Sequence, residues 1–247
     1  MPDLRSLIDK SFLRRDHSGR YRQYGCECLK SHSDKWRKAK DAHCRYYADF
    51  INKKKGLMGR RGREVMDEFG QEIENLRLAW DWAISNDRYD ELDLMNSGLA
   101  LFYIRKSRYE EGVEIFRPAV EKLRAVPSRD PLLAQLSLHL GQMYFYTAQF
   151  DKTKSLIEES LNIARIKKDQ KIVADCFVWL GNVANTQSRY EEAHQYFTQA
   201  RDIFRRIGDN FGIARVLHSL GIVTEIMAGM VTALINLGRV AVLQKRL

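Results

Sequence analysis

Proline is scarce in this chain, four in 247 residues, and cysteine is equally rare. Few prolines leave long stretches free to be helical, since each one removes a backbone donor and clashes with the preceding turn. Four cysteines without a paired framework exclude a small disulfide-stapled fold and fit a reducing cytoplasm. The N-terminus lacks the apolar run of a signal peptide: Asp3, Arg5 and Asp9 stand where that run would be, so a cytoplasmic protein is expected. Also missing is a Gly-x4-Gly-Lys-Ser/Thr phosphate loop. Gly59-Arg60-Arg61-Gly62 has neither the apolar strand before it nor the lysine that such a cradle needs. No nucleotide cofactor and no ATP hydrolysis are therefore expected.

Acidic residues are few at one end only. Residues 1–63 hold 18 Lys+Arg against 7 Asp+Glu, a net of +11, while the whole chain is +9, which leaves the remainder at −2. Any general affinity for polyanions belongs to that first quarter, where Arg14, Arg15, Arg20, Arg22, Lys35, Arg37, Lys38, Lys40 and Lys53 to Lys55 cluster. Tyr21, Tyr24, Trp36, Tyr46 and Tyr47 interleave with these cations as stacking platforms do in single-strand binders. A nucleic-acid-binding regulator working through residues 1–63 is the alternative function.

What the chain has is a repeat. Gly141, Gly181 and Gly221 each follow a leucine, and nine residues later stand Phe150, Tyr190 and Met230. Self-similarity at a fixed period of 40 residues is the mark of a solenoid, whose units bury their apolar faces only by stacking. Within residues 171–210, Phe177, Leu180 and Gly181 share one face of a first helix, and Ala193, Phe197, Ala200 and Ile203 share one face of a second. A turn around Ser188 and Arg189 joins them into an αα-hairpin. A glycine inside a helix costs about 1 kcal/mol in propensity, so Gly181 implies close approach of the second helix.

This spacing resembles the tetratricopeptide repeat, carried by Phe177, Leu180, Gly181, Tyr190, Ala193, Phe197 and Ala200. Leu140, Gly141, Tyr144, Phe150 and Ile157 repeat it upstream, and Leu99, Ala100, Tyr103, Tyr109, Gly112, Phe116 and Ala119 repeat it again. The 40-residue length is similar to the long-helix variety of bacterial signalling regulators. The expected fold is all-α, an α-solenoid of antiparallel helix pairs over residues 89–128, 129–169, 170–209 and 210–247. Before it, helices are expected at 33–55 and 64–85 in a linker segment of residues 33–88, with an apolar seam of Phe69, Ile73, Leu76, Trp80 and Ile84. Glu72 to Arg77 followed by Ala79-Trp80 resembles the linker of bacterial signal-transduction ATPases. The string from Leu4 to Arg22 resembles the end of their winged-helix module, which implies a β-hairpin of Ser11 to Arg15 and Arg20 to Arg22 within a remnant spanning residues 1–32.

Other chemistry finds no support. Cys26, Cys28, His32, His43 and Cys44 do not have the two-to-four-residue ligand loops of a zinc site. Cys176 reads as core, and His139, His194 and His218 stand without a nucleophile or carboxylate at a supporting spacing. The function expected is non-catalytic, a scaffold or sensor of a signalling or transcription regulator. The repeat geometry implies a groove lined by first-helix residues Gln142, Phe145, Asp175, Asn182, Asn185, Arg215 and His218, taking a protein or peptide. The Lys/Asn set that clamps a C-terminal carboxylate in chaperone-binding members is absent from the corresponding positions. Residues 226–238 carry no charge, yet thirteen residues are too few for a bilayer, so no membrane partner is expected. An uncovered apolar face is expected there, as in a truncated member of the family, and self-association through residues 226–247 is expected to hide it.

Overall fold

The computed structural model describes residues 33–55 and 62–244, with side chains followed as far as Thr232. Those residues form ten α-helices and one short 3-10 turn at Pro127–Arg129, with no strand among them. The all-α expectation holds for the described chain. The β-hairpin expected within residues 1–32 lies outside the described residues.

The helices fall into two compact units that divide between Lys106 and Ser107, inside the stretch 89–128 expected as the first repeat. In the first unit, α1 (Ser33–Lys55) packs against α3 (Ile73–Ser85) and α4 (Tyr89–Arg105), with α2 (Gly62–Gln71) beside α3 and α4. The helix expected at 33–55 forms over that range. The seam expected as one helix is broken at Glu72, which leaves helical geometry at φ −99°, ψ 6°. Its carboxylate accepts from Tyr47 Oη and Asn75 Nδ2, both at 2.7 Å, so the kink is held by side chains that converge on it. Ile51, Phe69, Leu76, Trp80, Leu92, Met95 and Leu99 are fully buried around this seam. Gly98 is pressed against Ile51, leaving no room for a side chain.

The second unit holds α5 (Tyr109–Leu123), α6 (Asp130–Tyr146), α7 (Phe150–Lys167), α8 (Gln170–Thr186), α9 (Tyr190–Ile207) and α10 (Asn210–Gln244). Each helix packs on the next in order, and α6 also touches α8. The small residue expected at each pair interface is there: a Cβ built on Gly141 would lie 2.8 Å from Ile157 Cδ1, and one on Gly181 would lie 2.6 Å from Phe197 Cε1. Second helices thus approach the first at glycine, and a large side chain fills the gap.

The turns share one construction. Asp87, Ser107, Ala148, Lys168, Ser188 and Gly208 all have positive φ. At Asp87, Ala148 and Ser188 the next residue closes a six-to-one bond: Arg88 N to Ala83 O at 2.9 Å, Gln149 N to Tyr144 O at 2.9 Å and Arg189 N to Ala184 O at 2.8 Å. Asp/Ser-Arg-Tyr-x-Glu recurs at 87–91, 107–111 and 188–192. In each, the arginine pairs with the glutamate three residues on, and the tyrosine hydroxyl reaches the Asp or Ser side chain two residues back. A left-handed residue other than glycine is strained; the bracket accompanies it at Asp87, Ser107 and Ser188, whereas Ala148 and Lys168 adopt it without one.

The hairpin expected over 210–247 is not formed. Asn210–Gln244 is a single helix of 35 residues. Positions 228–232 read Ala-Gly-Met-Val-Thr, in which Ala and Met favour continuing the helix, and they lack the Arg, Tyr and Glu of the turns at 87–91, 107–111 and 188–192. Continuity also lengthens the apolar stretch beyond the thirteen residues expected. Asn210–Thr232 is long and apolar enough to cross a membrane by length and composition. One side of it, Val216, Leu220 and Val223, is buried among core residues of α8 and α9, and Arg215 on it is ion-paired.

Candidate functional site

The first helices α6, α8 and α10 carry the seven expected groove residues, and the structure brings several of them together. Asp175 on α8 and Arg215 on α10, forty residues apart, form an ion pair. Lys171 extends it, with Nζ 4.0 Å from Asp175 and 2.6 Å from Asp209. Asp209 also accepts from Gly212 N at 2.9 Å, so Lys171 first and this amide second hold its carboxyl below the usual range. Lys171 Nζ and the Arg215 guanidinium lie 5.6 and 5.7 Å from the centre of the buried Phe204 ring, a contact between cation and π-face. The result is a row of alternating charges, Arg215, Asp175, Lys171 and Asp209, that joins α8, α10 and the turn preceding α10.

Gln142 is half-buried, with Oε1 3.4 Å from His139 Nδ1. Phe145 meets Trp179 edge to face at 5.3 Å. Asn182 and Asn185 are half-buried on α8, and the Oδ1 of Asn185 is buried with no hydrogen-bond partner. His218 is exposed.

Trp179 and Tyr146 belong to the same face, although neither is part of the repeat motif. Trp179 follows Asp175 by four residues and precedes Asn182 by three, so all three share one side of α8. That spacing was the available signal, and the tryptophan's apolar character concealed it. Only 9% of Trp179 is exposed, and its indole N–H is buried without a partner. Tyr146 is 42% exposed, lies 5.8 Å from Trp179 and stacks on Tyr109 at 4.5 Å with 13° between planes. Partial burial and then Tyr109 raise the Tyr146 phenol above its ordinary value, while Arg215 opposes them.

The other candidates go elsewhere. His43 and Cys44 face the interior of the first unit, and burial pushes the Cys44 thiol up to about 11. Cys176 donates to Ser160 Oγ at 3.3 Å, Ser160 donates to Ala134 O at 2.7 Å, and burial pushes the Cys176 thiol up to about 12. Since the thiolate is the reactive form, neither thiol should react with a disulfide reagent at pH 8 until the protein is unfolded. Thiol titration with and without urea checks this, and rapid modification of a Cys26→Ser, Cys28→Ser variant in its native state would contradict it. Of the basic residues in α1, Lys54 is ion-paired to Glu68 and Lys40 lies over Trp36 at 4.9 Å. Lys35, Arg37, Lys38 and Lys53 are exposed on the same helix, and Arg14, Arg15, Arg20 and Arg22 precede the described residues. An open cleft of about 390 Å³ lies between α5, α6 and α7, lined by Arg117, Glu121, Arg124, Tyr144, Asp151 and Lys152 among others, and includes none of the expected residues.

No family model matches the chain. The regulatory protein RapK of Bacillus subtilis (strain 168) is 25% identical over 126 residues, which is 50% of this chain and 33% of that protein. The chain spans about a third of the length of the curated relative it matches. This chain is a helical-repeat protein. Among solved structures, BtubC (BKLC) from P. vanneervenii is 14% identical, with a TM-score of 0.49 over 77% of this chain and 85% of that one.

Proposed function

We propose that the chain is a non-catalytic interaction scaffold of a signalling or transcription regulator, holding a protein or peptide partner on the face of α6, α8 and α10. In this reading residues 1–32 are a winged-helix-like remnant, 33–88 a linker and the stretch from 89 onward the repeat array, working in the cytoplasm. The observation that carries it is the pair of unsatisfied groups on α8, the Trp179 indole N–H and the Asn185 Oδ1, flanking the half-buried Asn182. A buried donor or acceptor left unpaired costs about 1–3 kcal/mol, and natural proteins leave few of them without a use. One donor and one acceptor beside exposed aromatic surface suit an extended peptide, whose backbone offers both partners. Gln142, Phe145, Asp175, Arg215 and His218 would border that strand, with Tyr146 as an apolar contact. RapK, which matches half of the chain, is itself called a regulatory protein.

Selection of a displayed peptide library on the immobilised full chain tests the proposal. Enriched peptides should lose at least tenfold in affinity for a Trp179→Phe, Asn182→Ala variant, while the variant keeps its cooperative unfolding transition with a loss of about 1–3 kcal/mol, as trimming a buried ring causes. A library that yields no peptide dependent on these two residues counts against the site. Binding of oligonucleotides with a steep fall in affinity as salt rises would instead favour the basic N-terminal quarter.

A further inference from the structure

One face of α10 is uncovered in a single copy, although the matching face is covered twice elsewhere in the array. Ala134, Ser137 and Gly141 on α6, and Ala174, Phe177 and Gly181 on α8, are buried, and the returning second helix closes over each glycine with Ile157 or Phe197. The corresponding residues of α10 are Ala214, Leu217 and Gly221, all exposed, with Leu217 48% exposed and no atom within 4 Å of a Cβ built on Gly221. Thr224, Ala228 and Val231 continue the exposed row.

These six residues recur at alternating intervals of three and four, so they lie within one arc of about 100° on the helix. Positions 214, 221 and 228 are small, Ala, Gly and Ala, and positions 217, 224 and 231 are larger, Leu, Thr and Val. A parallel pair of such helices would set small against small and leave gaps. An antiparallel pair with its two-fold axis between Ile222 and Val223 sets Ala214 opposite the partner's Val231, Leu217 opposite the partner's Ala228 and Gly221 opposite the partner's Thr224, each contact occurring twice. Every small residue then receives a larger one, as close packing requires. We infer that this face of α10 pairs antiparallel with the same face of a second copy, through residues 211–232.

The flank of the row carries charge in the matching place. His218 follows Leu217 and Glu225 follows Thr224, both exposed, and in this register His218 falls within two residues of level with the partner's Glu225, twice by symmetry. An imidazole N–H that donates to the carboxylate there fixes the register, which apolar contacts alone leave loose. Phe211, 78% exposed, stands in the same flanking row and falls equally near the partner's Thr232. A bilayer suits this helix less well, because His218 and Glu225 stand beside the middle of the row while Val216, Leu220 and Val223 are built into the core. The peptide face proposed above is a different side of α10: Arg215, which marks it, is about 100° round the helix from Ala214, with His218 at the border.

Light scattering on the full chain should give about 58 kDa at tens of micromolar, twice the 28.8 kDa of one chain. In a Cys26→Ser, Cys28→Ser background, Leu217→Cys copies mixed with Ala228→Cys copies should be joined by a short bifunctional thiol cross-linker into a mixed dimer. Either variant alone should not, because like positions then stand about 16 Å apart along the axis at 1.5 Å per residue. Gly221→Glu has room in a single copy, so it should keep the unfolding transition and raise the dimer dissociation constant at least tenfold. Glu225→Lys should weaken the dimer at low salt, and adding His218→Glu should restore it. If Gly221→Glu does not fold, the mixed cross-link decides. A monomeric native chain overturns the inference, whether or not it sediments with phosphatidylcholine vesicles, and so does a dimer that cross-links through like positions or survives Gly221→Glu unchanged.

Discussion

Gly181→Leu should collapse the second unit. A Cβ at position 181 would already stand 2.6 to 3.0 Å from three atoms of the Phe197 ring, and Phe197 is 1% exposed with no free volume to retreat into. Ala193, Ala200 and Ile203 on the same helix are buried with it. A leucine there would push α9 off α8, and overpacking of this kind costs about 1–3 kcal/mol for a few methylenes, more where the backbone must shift. Gly181→Ala should show the smaller end of that range. In chemical denaturation, the leucine variant should lose most of the cooperative transition of residues 107–232. Combining it with Phe197→Ala should return part of the loss, because the two changes share one space and so do not add. An unchanged transition for Gly181→Leu would mean that α8 and α9 do not meet at this glycine.

Acid should weaken the first unit through one histidine. His43 sits against the Tyr47 ring at 4.7 Å. Burial, and secondarily Lys40, drive its pKa down to about 4, against smaller opposing contributions from Asn75 and Glu72. A folded-state pKa below the unfolded value of 6.5 means that the unfolded chain binds the proton more readily. His43 therefore contributes its full stability above pH 6.5, and the contribution is lost as pH falls toward 4. Between about pH 7.5 and 5 the loss is about 2 kcal/mol, because each tenfold rise in proton concentration below the unfolded pKa costs about 1.4 kcal/mol. Urea unfolding followed by tryptophan fluorescence suits this test, because Trp36, Trp80 and Trp82 are three of the four tryptophans and all lie in that unit. His43→Gln should flatten the pH dependence by that amount. If native and variant proteins lose stability equally over this range, His43 is not held neutral by its surroundings.

Local pattern and tertiary structure divided the work unevenly. The period of 40 residues, the glycine at each pair interface and the polar turn at Ser188 and Arg189 were all legible, because helix pairing depends on residues three or four apart and on short turns. The same locality explains the helix at 33–55. What single-helix periodicity could not show was how faces combine. Asp175 and Arg215 lie on different helices, and only their packing made them an ion pair rather than two free groove side chains. Replacing Arg215 is accordingly not a neutral surface change, since it leaves the partly buried Asp175 with Lys171 at 4.0 Å. Trp179 reads in isolation as core, and its orphaned N–H is visible only once every neighbour is placed. The break at Glu72 required Tyr47, 25 residues away, to converge on it.

By itself the sequence determined the helix pairs, their period and the residues that close each pair, because those are contacts between near neighbours written into every repeat. Whether the last apolar stretch turns back or runs on was decided only in three dimensions. The turn at Ala148 closes without an Arg-Tyr-Glu bracket, with α7 packed back on α6, so packing beyond the turn carries the decision, and at residues 228–232 α10 continues and leaves the Gly221 face open.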